Sequence, residues 1–243
     1  MAGHSKWANI KHRKERADAK KGKVFSRIAK EIISAVKVGG GPDPKANPRL
    51  RLALIKAREA NVPNDIIDRN IKKASSADQA DFTEMTYELY GHGGVGIIVD
   101  AMTDNKNRLS SDMRIATNKR GGVIASPGAV AFNFDRRGVI QVPKGQISED
   151  ELFIVASEAG ALDFEAEDDI FIITTDPTDL YKVKEAITNA GYPCQETSLE
   201  MIPKTLVQCN EETIKANQAL IEWLEQYDDV DAVYHNIDMP DES

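Results

Sequence analysis

The sequence predicts an α+β, multi-domain fold, in which a helical N-terminal domain precedes two α/β domains, at least one of them ferredoxin-like. Three observations lead there. Apolar residues recur at three- and four-residue steps through the first part of the chain, as on amphipathic helices. From Phe82 onward, short β-rich runs are interleaved with helical stretches. Residues 138–202 read as βαββαβ, the order of the ferredoxin-like motif. The 243 residues allow two to three small domains.

Element by element, residues 1–22 form a basic arm whose large apolar residues are Trp7 and Ile10. So little apolar surface predicts a mobile segment. Phe25, Ile28, Ile32, Ile33 and Val36 then mark a helix, stopped by Gly39-Gly40-Gly41-Pro42. Asn47 caps a second helix, with Pro48 at its first position. Val62-Pro63 ends it, and Asn64 is expected to cap a third. Residues 23–78 thus read as a three-helix domain. Strands are expected over 85–90 and 95–102, joined by the glycine-rich stretch 91–94, then a helix over 107–120 and a strand over 130–134. The ferredoxin-like domain, 137–204, opens with a strand over 139–142 and carries a helix capped by Ser148. The tail adds a helix and a strand that cannot stand alone. They are expected to return to the sheet begun earlier, making 79–136 plus 205–243 a discontinuous α/β domain.

The formal net charge of −8 conceals a strong segregation. Residues 1–80 hold 19 Lys/Arg against 8 Asp/Glu, a net of +11; residues 81–243 hold 12 against 31, a net of −19. Such asymmetry points to a polyanion-binding module on an acidic body. The rival reading is a basic face that docks intramolecularly on the acidic part.

Catalytic and metal-binding patterns are missing. The four histidines, His4, His12, His92 and His235, form no HExxH or related spacing, and Cys194 and Cys209 support neither a zinc site nor a disulfide framework. The stretch Gly91-His92-Gly93-Gly94 precedes a strand rather than a helix and has no following G-K-[ST]. It therefore reads as a tight connection rather than a phosphate cradle. No enzyme activity, metal or cofactor is expected. Nor is a membrane span expected, because no apolar run approaches the ~18 residues required. With no secretory signal visible, the expected compartment is the cytoplasm, and a monomer is expected.

The candidate site is therefore cationic. Lys6, Lys11, Arg13, Lys14, Arg16, Lys20, Lys21, Lys23, Arg27 and Lys30 would neutralise phosphates and release counterions, which gives affinity without sequence information. Trp7 would stack on an unpaired base, and His4, Asn9 and His12 would supply hydrogen-bond groups. Arg69, Lys72, Lys73, Lys106 and Arg108 are secondary candidates. A flexible arm carrying an aromatic suits irregular RNA somewhat better than duplex DNA. An acidic protein-interaction adaptor with no nucleic-acid contact is the alternative.

The opening Met1-Ala2-Gly3-His4-Ser5-Lys6-Trp7-Ala8-Asn9-Ile10-Lys11-His12-Arg13-Lys14, followed by Asp18-Ala19-Lys20-Lys21-Gly22-Lys23, resembles the signature of the YebC family of gene-expression regulators. The resemblance continues through Phe134-Asp135-Arg136-Arg137-Gly138. It implies a helical domain and two α/β domains around a cleft, with no cofactor. Family members are described either as DNA-binding transcriptional regulators or as ribosome-associated factors that relieve stalled translation. A mitochondrial relative activates translation of cytochrome c oxidase subunit I.

Overall fold

The computed structural model describes residues 7–11, 21–76, 81–145, 147–167 and 169–239. These form two compact units, one holding the described residues up to Ile10 together with Ala131–Leu206, the other Lys11–Val130 and Val207–Met239.

The second unit opens with helices α1 (Lys21–Val38), α2 (Pro48–Glu59) and α3 (Asn64–Ala74). Ile28, Ile32 and Val36 of α1 pack against Leu50, Ala53 and Ala57 of α2 and Ile67 of α3. Asn47 caps α2 as expected, accepting from Leu50 N at 3.0 Å. Its amide also donates to the Ala35 and Gly41 carbonyls, both at 2.8 Å, so one fully buried side chain ties the end of α1 to the start of α2. That contact explains Gly39, where a Cβ would lie 2.4 Å from Asn47 Oδ1. Asn64 does not cap α3. Pro63 occupies the cap position without a side-chain bond, and Asn64 is the first helical residue.

The same unit contains a four-stranded antiparallel sheet in the order β3-β1-β2-β8. Its strands are β1 (Thr83–Tyr90), β2 (Gly96–Thr103), β3 (Val123–Ile124) and, from the tail, β8 (Val230–His235). Helices α4 (Lys106–Arg120) and α7 (Glu211–Leu224) belong with it. Asn105 caps α4 by accepting from Arg108 N at 3.0 Å.

The first unit has strands β4 (Phe134–Pro143), β5 (Ala161–Ala166), β6 (Ile170–Thr175) and β7 (Glu196–Pro203), with helices α5 (Glu149–Ala159) and α6 (Leu180–Asn189). Its antiparallel sheet runs β5-β6-β4-β7. Ile140, Val142, Phe171 and Ile173 point to the helices, whereas Val139, Ile172 and Ile202 form an apolar patch on the other face. The separate strands expected over 130–134 and 139–142 are corrected here. Residues 131–133 make a 3-10 turn, and one ten-residue strand runs from Phe134 through Pro143. Gly138 is not a break in that strand. A Cβ there would sit 2.3 Å from Thr175 Oγ1 and 2.8 Å from Leu180 Cδ1, so glycine serves close approach.

Candidate nucleic-acid interface

Of the residues singled out in the basic arm, His4, Lys6, His12, Arg13, Lys14, Arg16 and Lys20 lie outside the described residues, and Lys21 contributes the first backbone position of α1. Residues 7–11 are helical. Trp7 corrects the expectation of a mobile stacking face. It is 6% exposed, packs on Val139, Ile172 and Ile202, and its indole N–H donates to Glu165 Oε2 at 2.9 Å. Ile10 joins the same cluster and Asn9 is buried beside it, whereas Lys11 is exposed. Two apolar side chains thus suffice to dock this segment, because the sheet offers a ready apolar face.

The cations of α1 also differ from expectation. Lys23 donates to the Glu225 and Tyr227 carbonyls, the latter at 2.8 Å. Lys30 donates to the Asp228 carbonyl at 2.6 Å and the Met102 carbonyl at 3.1 Å, and pairs with Asp229 at 3.6 Å. Arg27 pairs with Glu31 at 3.2 Å. Lys23 and Lys30 fasten α1 to the stretch 225–229, while Arg27 pairs within α1. For the two lysines, intramolecular docking is what the structure shows.

Asp229 is the hub of that junction. Its carboxylate accepts from Thr103 at 2.8 Å and from Arg108 at 2.6 Å. Burial pushes its carboxyl up, but the bonds from Arg108 and Thr103 and the charge of Lys30 outweigh burial and hold it below the usual carboxylate range. Arg108 bonds Asp104 as well, at 2.7 Å, and both carboxylates raise its already high pKa. In this structure it is held by these two carboxylates rather than standing free. Two residues on, burial pushes the Asp231 carboxyl up to about 6 against the pull of Arg27 and Lys30.

The other secondary candidates face outward. Lys72 and Lys73 are exposed on the last turn of α3 and have no ion pair among the described residues. Arg69, one turn earlier, has a 3.7 Å contact with Asp65 and no other ion pair among the described residues. Lys106 is exposed at the start of α4. Arg58, exposed in the last turn of α2, adds a further cation in the same helical domain.

The glycine stretch is a 3-10 turn, His92–Gly94, with Gly93 and Gly94 at positive φ. Its anchor is Asn217, fully buried on α7, which accepts from His92 N at 2.8 Å and donates to His92 O at 3.0 Å. Sequence reasoning missed Asn217, although it falls on the apolar stripe Ile214, Leu220, Ile221, Leu224, where a polar residue signals a buried hydrogen-bonding role. It also missed Glu88, whose buried carboxylate accepts from Gly128 N and Val130 N, both at 2.6 Å, and so fixes the loop before residue 131. No group of His, Cys, Asp or Glu among the described residues could hold a metal, and no described helix is long and apolar enough to cross a membrane.

Comparison with known proteins adds the family context. A family model described as the TACO1/YebC N-terminal domain matches residues 5–77, and one described as the TACO1/YebC second and third domain matches residues 82–237. A probable transcriptional regulatory protein of Protochlamydia amoebophila is 72% identical over 242 residues, covering 100% of this chain and 98% of the relative. One of Chlamydia trachomatis serovar L2 is 60% identical over 238 residues, covering 98% of this chain and 100% of the relative. The crystal structure of a conserved hypothetical protein from Aquifex aeolicus superposes with a TM-score of 0.80 at 41% identity, covering 93% of each chain.

Proposed function

Because this chain belongs to the TACO1/YebC family, we propose that it is a non-enzymatic regulator of gene expression that binds nucleic acid through its cationic N-terminal third. The relatives' names, probable transcriptional regulatory protein, support regulation of gene expression. The single observation that carries nucleic-acid binding is the charge segregation, +11 over residues 1–80 against −19 over the rest. Lys23, Arg27, Lys30 and Arg108 are spent on internal partners, which leaves the cations at positions 6–21 and the outward Arg58, Arg69, Lys72 and Lys73 as the grip.

Such a grip engages phosphates and reads no base edges. It accommodates duplex DNA and ribosomal RNA alike, and the acidic body is repelled from the backbone and orients the molecule. The protein works as a cytoplasmic monomer without a cofactor. The test is to replace Lys11, Arg13, Lys14, Lys20 and Lys21 by Glu and to measure binding to duplex DNA and to purified ribosomes. A loss of at least about ten-fold on one of them is expected and identifies the target. Unchanged affinity for both refutes the reading and favours the adaptor.

A further inference from the structure

We propose that Phe132 is a base-stacking residue: an unpaired base of a single-stranded nucleic acid lies on its ring, while Arg136, four positions on, meets a flanking phosphate. This rests on the nucleic-acid reading above and extends it to the first unit.

Phe132 is 71% exposed, the highest value among the large hydrophobic residues described. Phe134, two positions on, is buried, so the chain turns one ring inward and the other outward. Phe153 is also half exposed, but its ring packs edge-on against Phe164 at 5.6 Å, whereas Phe132 has no ring contact among the described residues.

The turn that presents Phe132 is fixed rather than loose. The Asn133 carbonyl accepts from Lys204 N at 2.8 Å, and the Asn133 amide donates to the Thr205 carbonyl at 3.2 Å. Thr205 Oγ1 bonds Asn133 Oδ1, and Lys204 Nζ donates to the Phe132 carbonyl at 2.8 Å. Four bonds thus hold the 3-10 turn to the segment after β7, so the backbone that carries the ring is fixed before any partner arrives. An aromatic held this way gives up little freedom on stacking.

The charge around it is positive. Lys204 and Arg137 share the single carboxylate of Asp135, each at 3.3 Å. Arg136 is exposed, has no ion pair among the described residues, and follows Phe132 by four positions, within about 14 Å along the chain. Two cations on one carboxylate, with Arg136 as a third positive charge nearby in sequence, make this turn one where a phosphate backbone is tolerated in a part of the chain that is otherwise strongly acidic. An aromatic face among surplus cations is the arrangement that holds single strands, because every base has a π-face and stacking is indifferent to sequence.

The test compares the full-length protein with F132A and F132W by fluorescence anisotropy on labelled oligouridine, oligothymidine and a short duplex. F132A is expected to weaken single-strand binding about ten-fold, with duplex affinity, salt slope and melting temperature unchanged, and F132W to restore it. Loss on only one of the two oligonucleotides still supports stacking and tells RNA from DNA as the source of the base. Wild-type affinity of F132A for both single strands, or an equal loss on the duplex, overturns the proposal while leaving the phosphate grip standing. An unaltered protein that binds none of the three probes overturns both.

Discussion

Replacing Glu165 by Ala should weaken the docking of the N-terminal segment on the sheet. Among the described residues, Trp7 is held by burial of its ring on Val139, Ile172 and Ile202 and by the indole N–H bond to Glu165 at 2.9 Å. A hydrogen bond to a charged acceptor contributes about 1.5–3 kcal/mol. Its loss therefore shifts the docking equilibrium by about ten- to 150-fold. The ring's own burial is untouched by the substitution, so docking weakens without vanishing. The chain has two tryptophans, so Trp223→Phe leaves Trp7 as the sole indole reporter. In that background, acrylamide should quench Trp7 poorly when Glu165 is present and more readily in E165A, with a red shift of emission. Glu165→Gln, which retains an acceptor but not the charge, should fall between. If Trp7 is quenched like free indole with Glu165 intact, or if E165A leaves quenching unchanged, the docking account is wrong.

Three further outcomes follow from the tail junction and the glycine turn. Asp231, raised to about 6, favours the folded state in its protonated form, so its contribution is present below the ordinary carboxylate pKa and is lost as pH rises through about 6. Asp231→Asn should remove that loss and raise the melting temperature at neutral pH more than at pH about 4, as thermal melts across the range would show. Asp229→Asn should act oppositely, costing about 1.5–3 kcal/mol in denaturant titrations at neutral pH, because it weakens the charged hydrogen bonds from Arg108 and the pairing with Lys30, while Arg108 keeps Asp104. Asn217→Ala should cost about 1–3 kcal/mol and accelerate amide exchange at His92, whose N–H and carbonyl it satisfies.

The helices of the N-terminal domain are legible because their stripes are local: Ile28, Ile32 and Val36 declare a face whatever lies opposite. The Asn47-Pro48 start is equally local. Gly138 is a glycine whose reason is not local, since it serves close approach to Thr175 and Leu180. The docking of Trp7 depends on a partner 158 positions away. One signal for it was nevertheless present. Val139-Ile140 and Ile172-Ile173 are consecutive apolar pairs, and a strand apolar on both sides requires cover on both faces. The cationic site was legible in charge count but not in use. Lys30 looks free in the sequence because the Asp228 carbonyl that it meets lies 198 positions on, and only the fold tells a cation held internally from one left for a partner.

The central claim, that the cationic leading third grips a polyphosphate, is tested most directly by the salt dependence of binding to duplex DNA and to ribosomal RNA. Five or more phosphate contacts predict a log–log slope of about −4 or steeper on at least one of them. A slope near zero on both, or no binding at low salt, would contradict it.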